Sequence, residues 1–153
     1  MLKFFTGSST HKVDGKGRVS LPADYRKVLE GLDTGHVVVL PQMNHPDSHV
    51  VLSQHGFEKV VEQFESLELA HEDTEALALR IVTDARQIPV DPAGRMVLSK
   101  ELRDQIGVGD EVRFVGRGSS FQLWEPKKRD AYEAAVKDRS QALAPKIRLA
   151  GLH

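Results

Sequence analysis

The sequence predicts an α+β fold with a mainly β, barrel-like core and peripheral helices. Two observations predict it: an internal repeat whose copies each read as strands around a short helix, and stretches of helical period between and after the copies. Composition is compatible with both. The chain has 153 residues, 40% hydrophobic and 28% charged, which suits an ordinary folded core and argues against disorder or a fibrous class.

The repeat is found by sliding the chain against itself. HKVDGKGRVSLPADYRKVLEG (residues 11–31) matches IPVDPAGRMVLSKELRDQIGV (residues 88–108) at an offset of 77 without a gap. The identities are Val13/Val90, Asp14/Asp91, Gly17/Gly94, Arg18/Arg95, Leu21/Leu98 and Arg26/Arg103. Downstream of each match come a β-branched run (Val37 to Leu40, then Val112 to Val115) and a shorter apolar stretch (Val50 to Leu52, then Phe121 to Trp124). Each copy therefore reads as strand, turn, strand, short helix, strand, turn, strand.

Local chemistry supports each element. Asp14-Gly15 signals a tight hairpin turn in which Gly15 supplies a positive φ, with Gly17 a second such position. Pro92 fixes one φ in copy two, so that turn is expected to differ. Pro22 suits the first position of a helix whose inward residues are Tyr25, Val28 and Leu29, matched by Leu102 and Ile106; Gly31 and Gly107 sit at the two helix ends. In FEKVVEQFESLEL the residues Phe57, Val60, Val61, Phe64 and Leu67 form one face of an amphipathic helix, expected to be buried scaffold worth about 1.5 to 3 kcal/mol per side chain. A second helix is read over about 74–85. A third follows Pro126 with Ala131, Tyr132, Ala135 and Val136 inward, and the tail from Ala144 is read as mobile or docked on a neighbour.

One copy of about 45 residues is too small to bury a core unaided, so the two are expected to pack together. Residues 1–153 are read as one domain, with repeats at about 5–53 and 82–126, linking helices over 57–80 and a C-terminal helix over 127–140.

Charge is distributed unevenly although the net charge is only -1. Residues 1–27 carry six basic against two acidic side chains, whereas residues 58–75 carry seven acidic against Lys59 alone. The basic end is the candidate for a polyanionic partner. Lys12, Lys16, Arg18 and Arg26 are its candidate DNA contacts, because guanidinium forks bond phosphates or guanine edges and lysines act as mobile charges. Asp14, Gly15 and Gly17, with Asp91, Gly94 and Arg95 in copy two, are read as residues that shape the turns. Two roles are open to each Asp/Arg pair: presentation of the arginine to DNA, favoured for copy one, and a bridge between the halves, favoured for copy two.

Other chemistries lack a motif. There is no cysteine, which excludes disulfides and thiolate ligands and fits a reducing compartment. His45, His49 and His55 are read as loop histidines too loosely spaced for a metal site; no phosphate-binding loop or nucleophile elbow occurs. Phe121 and Trp124 are read as core or subunit packing, and Lys127, Lys128 and Arg129 as a solvated helix end. No apolar run reaches membrane-spanning length, and MLKFFTGSS does not read as a signal peptide, so a soluble cytosolic protein is expected.

HKVDGKGRVSLPADYR, followed by a second D-x-x-G-R in IPVDPAGRMVLSKELR, resembles the MraZ family of bacterial regulators. The specific feature is the doubled D-x-x-x-R, Asp14 with Arg18 and Asp91 with Arg95. Copy two departs from it, having Ala93 where copy one has Lys16. The resemblance implies two pseudo-symmetric AbrB-like swapped-hairpin half-motifs, a ring-like homo-oligomer, and binding to double-stranded promoter repeats ahead of the division and cell-wall gene cluster, typically as a repressor. It further implies a cytoplasmic, nucleoid-associated protein with no cofactor, no metal, no catalytic residue and no small-molecule substrate. The alternatives are an AbrB-like antitoxin module that also binds a protein partner, and a structural ring without DNA contact.

Overall fold

A computed structural model of the chain describes residues 1–32, 35–41, 43 and 45–149. The first copy forms strand β1 (Ser8–Lys12), strand β2 (Arg18–Ser20), helix α1 (Ala23–Gly31), strand β3 (His36–Pro41) and strand β4 (Ser48–Ser53). Helices α2 (Gln54–Ser66) and α3 (His71–Ala78) follow, the latter running into a π-helical turn at Leu79–Thr83. The second copy repeats the order as strand β5 (Arg86–Pro89), strand β6 (Arg95–Val97), helix α4 (Lys100–Ile106), strand β7 (Glu111–Gly116) and strand β8 (Phe121–Trp124). Helix α5 (Pro126–Leu143) and a short 3-10 turn (Ala144–Lys146) close the described chain. The expectation for the tail falls partly on residues 150–153, which lie outside the described residues.

The fold is α+β, and the halves exchange strands. One antiparallel sheet runs β1-β7-β8-β4-β3-β5, so β1 of the first copy completes the hairpin of the second, and β5 of the second completes that of the first. This is the swapped-hairpin arrangement. The sheet stays open, with β1 and β5 at its edges, and does not close into a barrel. Strands β2 and β6 pair separately as a two-stranded ribbon, with Val19 opposite Met96. Those two residues are themselves related by the offset of 77, so the pseudo-twofold passes between them.

The continuous run Val37 to Leu40 is explained by burial on both faces of the sheet. Val37 and Val39 join the main core with Val19, Leu21, Tyr25, Met96, Leu98, Leu102, Phe114 and Phe121. Val38 and Leu40, with Leu52, face the other way, against Phe57 and Val60 of α2. The inward residues expected for the short helices are buried: Tyr25, Val28 and Leu29 on α1, Leu102 and Ile106 on α4. Pro22 stands one position before α1, and α4 is bounded by Ser99, whose hydroxyl accepts from the Leu102 N–H at 3.1 Å, and by Gly107 at φ 82°.

Three expectations about the longer helices are corrected. The α2 stripe is only partly covered: Phe57 and Val60 pack on the second cluster, whereas Leu67 is exposed, because only the start of the helix lies over β3 and β4. The helix read over 74–85 begins at His71 and turns π-helical from Leu79, where the Asp84 N–H reaches back to the Leu79 carbonyl at 2.9 Å. On α5, Tyr132 and Val136 are half-buried but Ala131 and Ala135 are exposed; the helix touches the body through its edge, with Arg129 over the Trp124 ring at 5.0 Å.

Gly17, not Gly15, carries the positive φ of the first turn, at 81°, and Gly94 takes 79° in the second. A Cβ on Gly17 would strike the Leu98 carbonyl oxygen, and one on Gly94 the Arg26 side chain, while one on Gly15 would meet open space. Gly17→Ala is therefore expected to lower stability by at least about 1 to 2 kcal/mol from the left-handed backbone alone, and Gly15→Ala by no more than about 0.5 kcal/mol. Urea unfolding of the two variants measures both.

Candidate nucleic-acid interface

The turn between β1 and β2 is organised by one carboxylate. Asp14 Oδ1 accepts the backbone N–H groups of Lys16 and Arg18, each at 2.9 Å, and Oδ2 accepts Arg18 Nε at 2.7 Å. Main-chain bonds close the loop: Gly17 N–H to the Asp14 carbonyl at 2.9 Å, and Asp14 N–H to the Arg18 carbonyl at 3.0 Å. Asp14 thus bonds both turn N–H groups and an arginine.

Copy two builds the same turn. Asp91 accepts the Arg95 N–H at 2.9 Å and Arg95 Nε at 3.0 Å, and the two main-chain bonds recur at 2.9 Å each. The expectation that Pro92 would alter this turn is corrected. Pro92 occupies the place of Gly15, which takes no positive φ, so the ring fits the common backbone. Both Asp/Arg pairs also lie within their own turn rather than between the halves.

Alternation along the ribbon decides what faces outward. Val19 and Met96 point into the core, so Arg18, Ser20, Arg95 and Val97 share the outer face. The Arg18 and Arg95 side chains are 40% and 42% exposed. Each is bonded to its aspartate through Nε, a contact that leaves the two Nη groups out of the pair. Lys12 and Lys16 are exposed beside Arg18, although Lys12 stands opposite Glu111 in the β1–β7 register. Ala93 holds the place of Lys16 in copy two, so the first turn is the more positive.

Arg26 is placed differently from the other candidate contacts. Its Nη1 donates to the Ala93 carbonyl at 2.8 Å, and its side chain fills the space beside Gly94. Arg103, its equivalent, donates through Nε to the Leu98 carbonyl at 3.1 Å and lies beside Gly17. Each short helix thus sends an arginine against the opposite turn. The identity of positions 26 and 103 was visible in the repeat; the crosswise partnership was not, since it depends on the strand exchange.

The remaining candidates are dispersed. His45 packs against Trp124 and Tyr132, His49 lies buried within β4 rather than in a loop, and His55 is in the first turn of α2. Among the described residues no group of three or more His, Asp or Glu side chains is placed to hold a metal ion. Phe121 and Trp124 are buried, as packing residues would be. The basic start of α5 is tied to the chain itself: Glu125 accepts the Lys127 and Lys128 N–H groups, Lys128 approaches Asp47, and Arg129 binds Glu133. Sequence reasoning missed this cap, although an acidic residue just before a proline that opens a helix is its signal.

The Arg18 N–H, followed by the Arg18 guanidinium, holds the Asp14 carboxyl below its usual 3.8, and the Arg95 N–H does the same for Asp91. A carboxylate with a lowered folded-state pKa contributes stability that is complete above its unfolded value and is lost as pH falls through the folded value. Carboxyl NMR titration should therefore find both groups ionising below 3.8. In Arg18→Ala the Asp14 midpoint should rise toward that value while Asp91 stays in place.

Comparison with known proteins agrees with the doubled motif. A family model described as the MraZ protein, antitoxin-like, matches residues 4–80 and again 81–148. The chain is 34% identical to the "Transcriptional regulator MraZ" of Rhodospirillum rubrum over 136 residues, covering 86% of this chain and 85% of that protein. A protein of the same name from Rickettsia bellii is 32% identical over 146 residues, covering 95% and 94%. Another, from Pelagibacter ubique, is 34% identical over 122 residues, covering 80% and 78%. Matched by the family model in both halves and by relatives along most of its length, the chain belongs to the MraZ family.

Proposed function

We propose that the protein is a DNA-binding transcriptional regulator that acts as a ring-shaped homo-oligomer on tandem promoter repeats upstream of division and cell-wall genes, by repression. The observation that carries the reading is the presentation of Arg18: its Nε is clamped by Asp14, its side chain stays 40% exposed, and exposed Lys16 stands in the same turn. A clamped guanidinium loses little freedom on meeting a base or phosphate, whereas a loose side chain would have to be ordered first. The names of the relatives, each a transcriptional regulator, point the same way.

Charge bookkeeping divides the work between the two cations. Arg18 is already half-compensated by Asp14, so its contribution is directional hydrogen bonding, as to guanine O6 and N7. Among the described residues no carboxylate pairs with Lys16, which supplies phosphate neutralisation. Lys12 adds less, with Glu111 across from it, and Arg26 serves to hold the Ala93 turn in place. So few cations per subunit give weak, salt-sensitive binding, and linking subunits on repeated sites can raise avidity by roughly 10² to 10⁴. Exposed Leu67, Leu69, Leu79 and Val82 around α2, α3 and the π-helical turn are apolar surface that assembly would cover.

The antitoxin-like description of the family favours a second reading, in which that apolar surface binds a different protein. Two cationic variants test the DNA reading. Lys16→Ala should reduce the log–log salt slope of binding to promoter repeats by about 0.9. Arg18→Ala should reduce discrimination against unrelated DNA by roughly 1 to 3 kcal/mol. Sedimentation of the Lys16→Ala, Arg18→Ala double variant should show the wild-type assembly. Normal DNA binding by a double variant that has fallen to subunits would make the turn an assembly element and refute the proposal.

A further inference from the structure

Among the described residues, the buried polar side chain left without a hydrogen bond is His49. It lies in β4, is 2% exposed, and neither ring nitrogen has a hydrogen-bond partner. A buried imidazole in that state has given up water without replacement, which native folds seldom tolerate without a reason. Burial first, then the positive charge of Arg86, pushes its pKa down to about 4, opposed by Gln105, which approaches the ring without closing a hydrogen bond of good geometry. Near neutral pH the ring is uncharged, with one N–H to give and one lone pair to offer.

His49 forms part of the wall of a cavity of about 700 Å³, together with Arg80, Asp84, Arg86, Glu101 and Gln105. That is the size of a small-molecule site. The wall is drawn from both halves and from the segment that joins them: β4, the π-helical turn, β5 and α4. The π-helical turn is itself a geometry found often where a fold serves a ligand. Charge is graded across the space. Asp84 is exposed and the Glu101 side chain is 73% exposed, whereas Arg86, which it meets at 3.3 Å, is 30% exposed. The carboxylates thus lie toward solvent and the cation deeper.

We propose that this cavity binds a small anion, a carboxylate- or phosphate-bearing metabolite, with Arg86 holding the anionic group and His49 completing its missing hydrogen bonds to it. The inference is independent of the DNA reading. An anion beside the ring favours the imidazolium, so occupancy raises the His49 pKa. Arg80 and Arg86 oppose that protonation, and Asp84 and Glu101 favour it.

The test uses the full chain, titrated with inorganic phosphate in one arm and succinate in the other, while imidazole NMR follows His49 and melting temperature is read in parallel. Saturable displacement of the His49 signals with a rising ring pKa is expected in at least one arm, and the arm identifies the anionic group. Arg86→Gln, or Arg86→Lys should that variant fold poorly, should weaken the response about tenfold or more. His49→Leu should melt higher than the wild type without ligand, since it removes the orphaned ring, and should lose the anion-induced rise in melting temperature. Absence of a saturable response in both arms overturns the proposal. So does a response that Arg86→Gln and His49→Leu leave unchanged, which would mark an adventitious anion only.

Discussion

Everything in this fold depends on two backbones meeting at the pseudo-twofold axis. The Leu21 N–H reaches the Gly94 carbonyl at 2.9 Å and the Leu98 N–H reaches the Gly17 carbonyl at 2.8 Å, which is one bond made twice under the offset of 77. A side chain at either glycine would collide with the other half, so the approach requires glycine at both positions. Around this clasp each half is incomplete. The third strand of each hairpin comes from the other copy, as β1 does for β7–β8 and β5 for β3–β4. A half-motif on its own would leave strand edges unpaired and its share of the core open.

The clasp also sets the geometry of the candidate interface. Because β2 and β6 pair with Val19 against Met96, the outward residues of both strands share one face, and the two arginines project from it in related positions. Each arginine is oriented by its own aspartate, and each turn is buttressed by an arginine from the opposite helix. Orientation is therefore local and placement is shared. A change in one half reaches the turn of the other through a single side chain, and the symmetry is broken chemically, by Lys16 against Ala93, rather than in backbone geometry.

The sequence made the repeat legible because its identities fall on residues that a particular turn requires, and such residues align even where the core has drifted. The inward faces of α1 and α4 were legible from spacing alone. Both Gly15 and Gly17 read as left-handed positions and only Gly17 is one, yet the offset held the answer: Pro92 cannot adopt a positive φ, so the shared position had to be Gly17/Gly94. The α2 stripe misled for a different reason. Amphipathic spacing says which face seeks apolar company, and only the tertiary structure says whether this chain provides it; Leu67 receives none from its own fold. His49 was read as loop because Pro46 and Asp47 precede it, whereas β4 already begins at Ser48. In the candidate site, the Asp/Arg clamp was anticipated from short-range chemistry, and the Arg26 and Arg103 buttresses were not, since their partners are set by strand exchange across the whole chain.

Helix α4 shows how tightly these features are connected. It has only seven residues, fixed at one end by the Ser99 hydroxyl and at the other by left-handed Gly107, and Leu102 and Ile106 lock it into the core. Glu101 and Gln105, four residues apart, share a face and line the cavity that His49 borders, while Arg103 lies between them in sequence and projects to the Gly17 turn. The same seven-residue helix thus lines the cavity on one side and, through Arg103, meets the Leu98 carbonyl and the Gly17 turn on the other, which is where the two halves are joined.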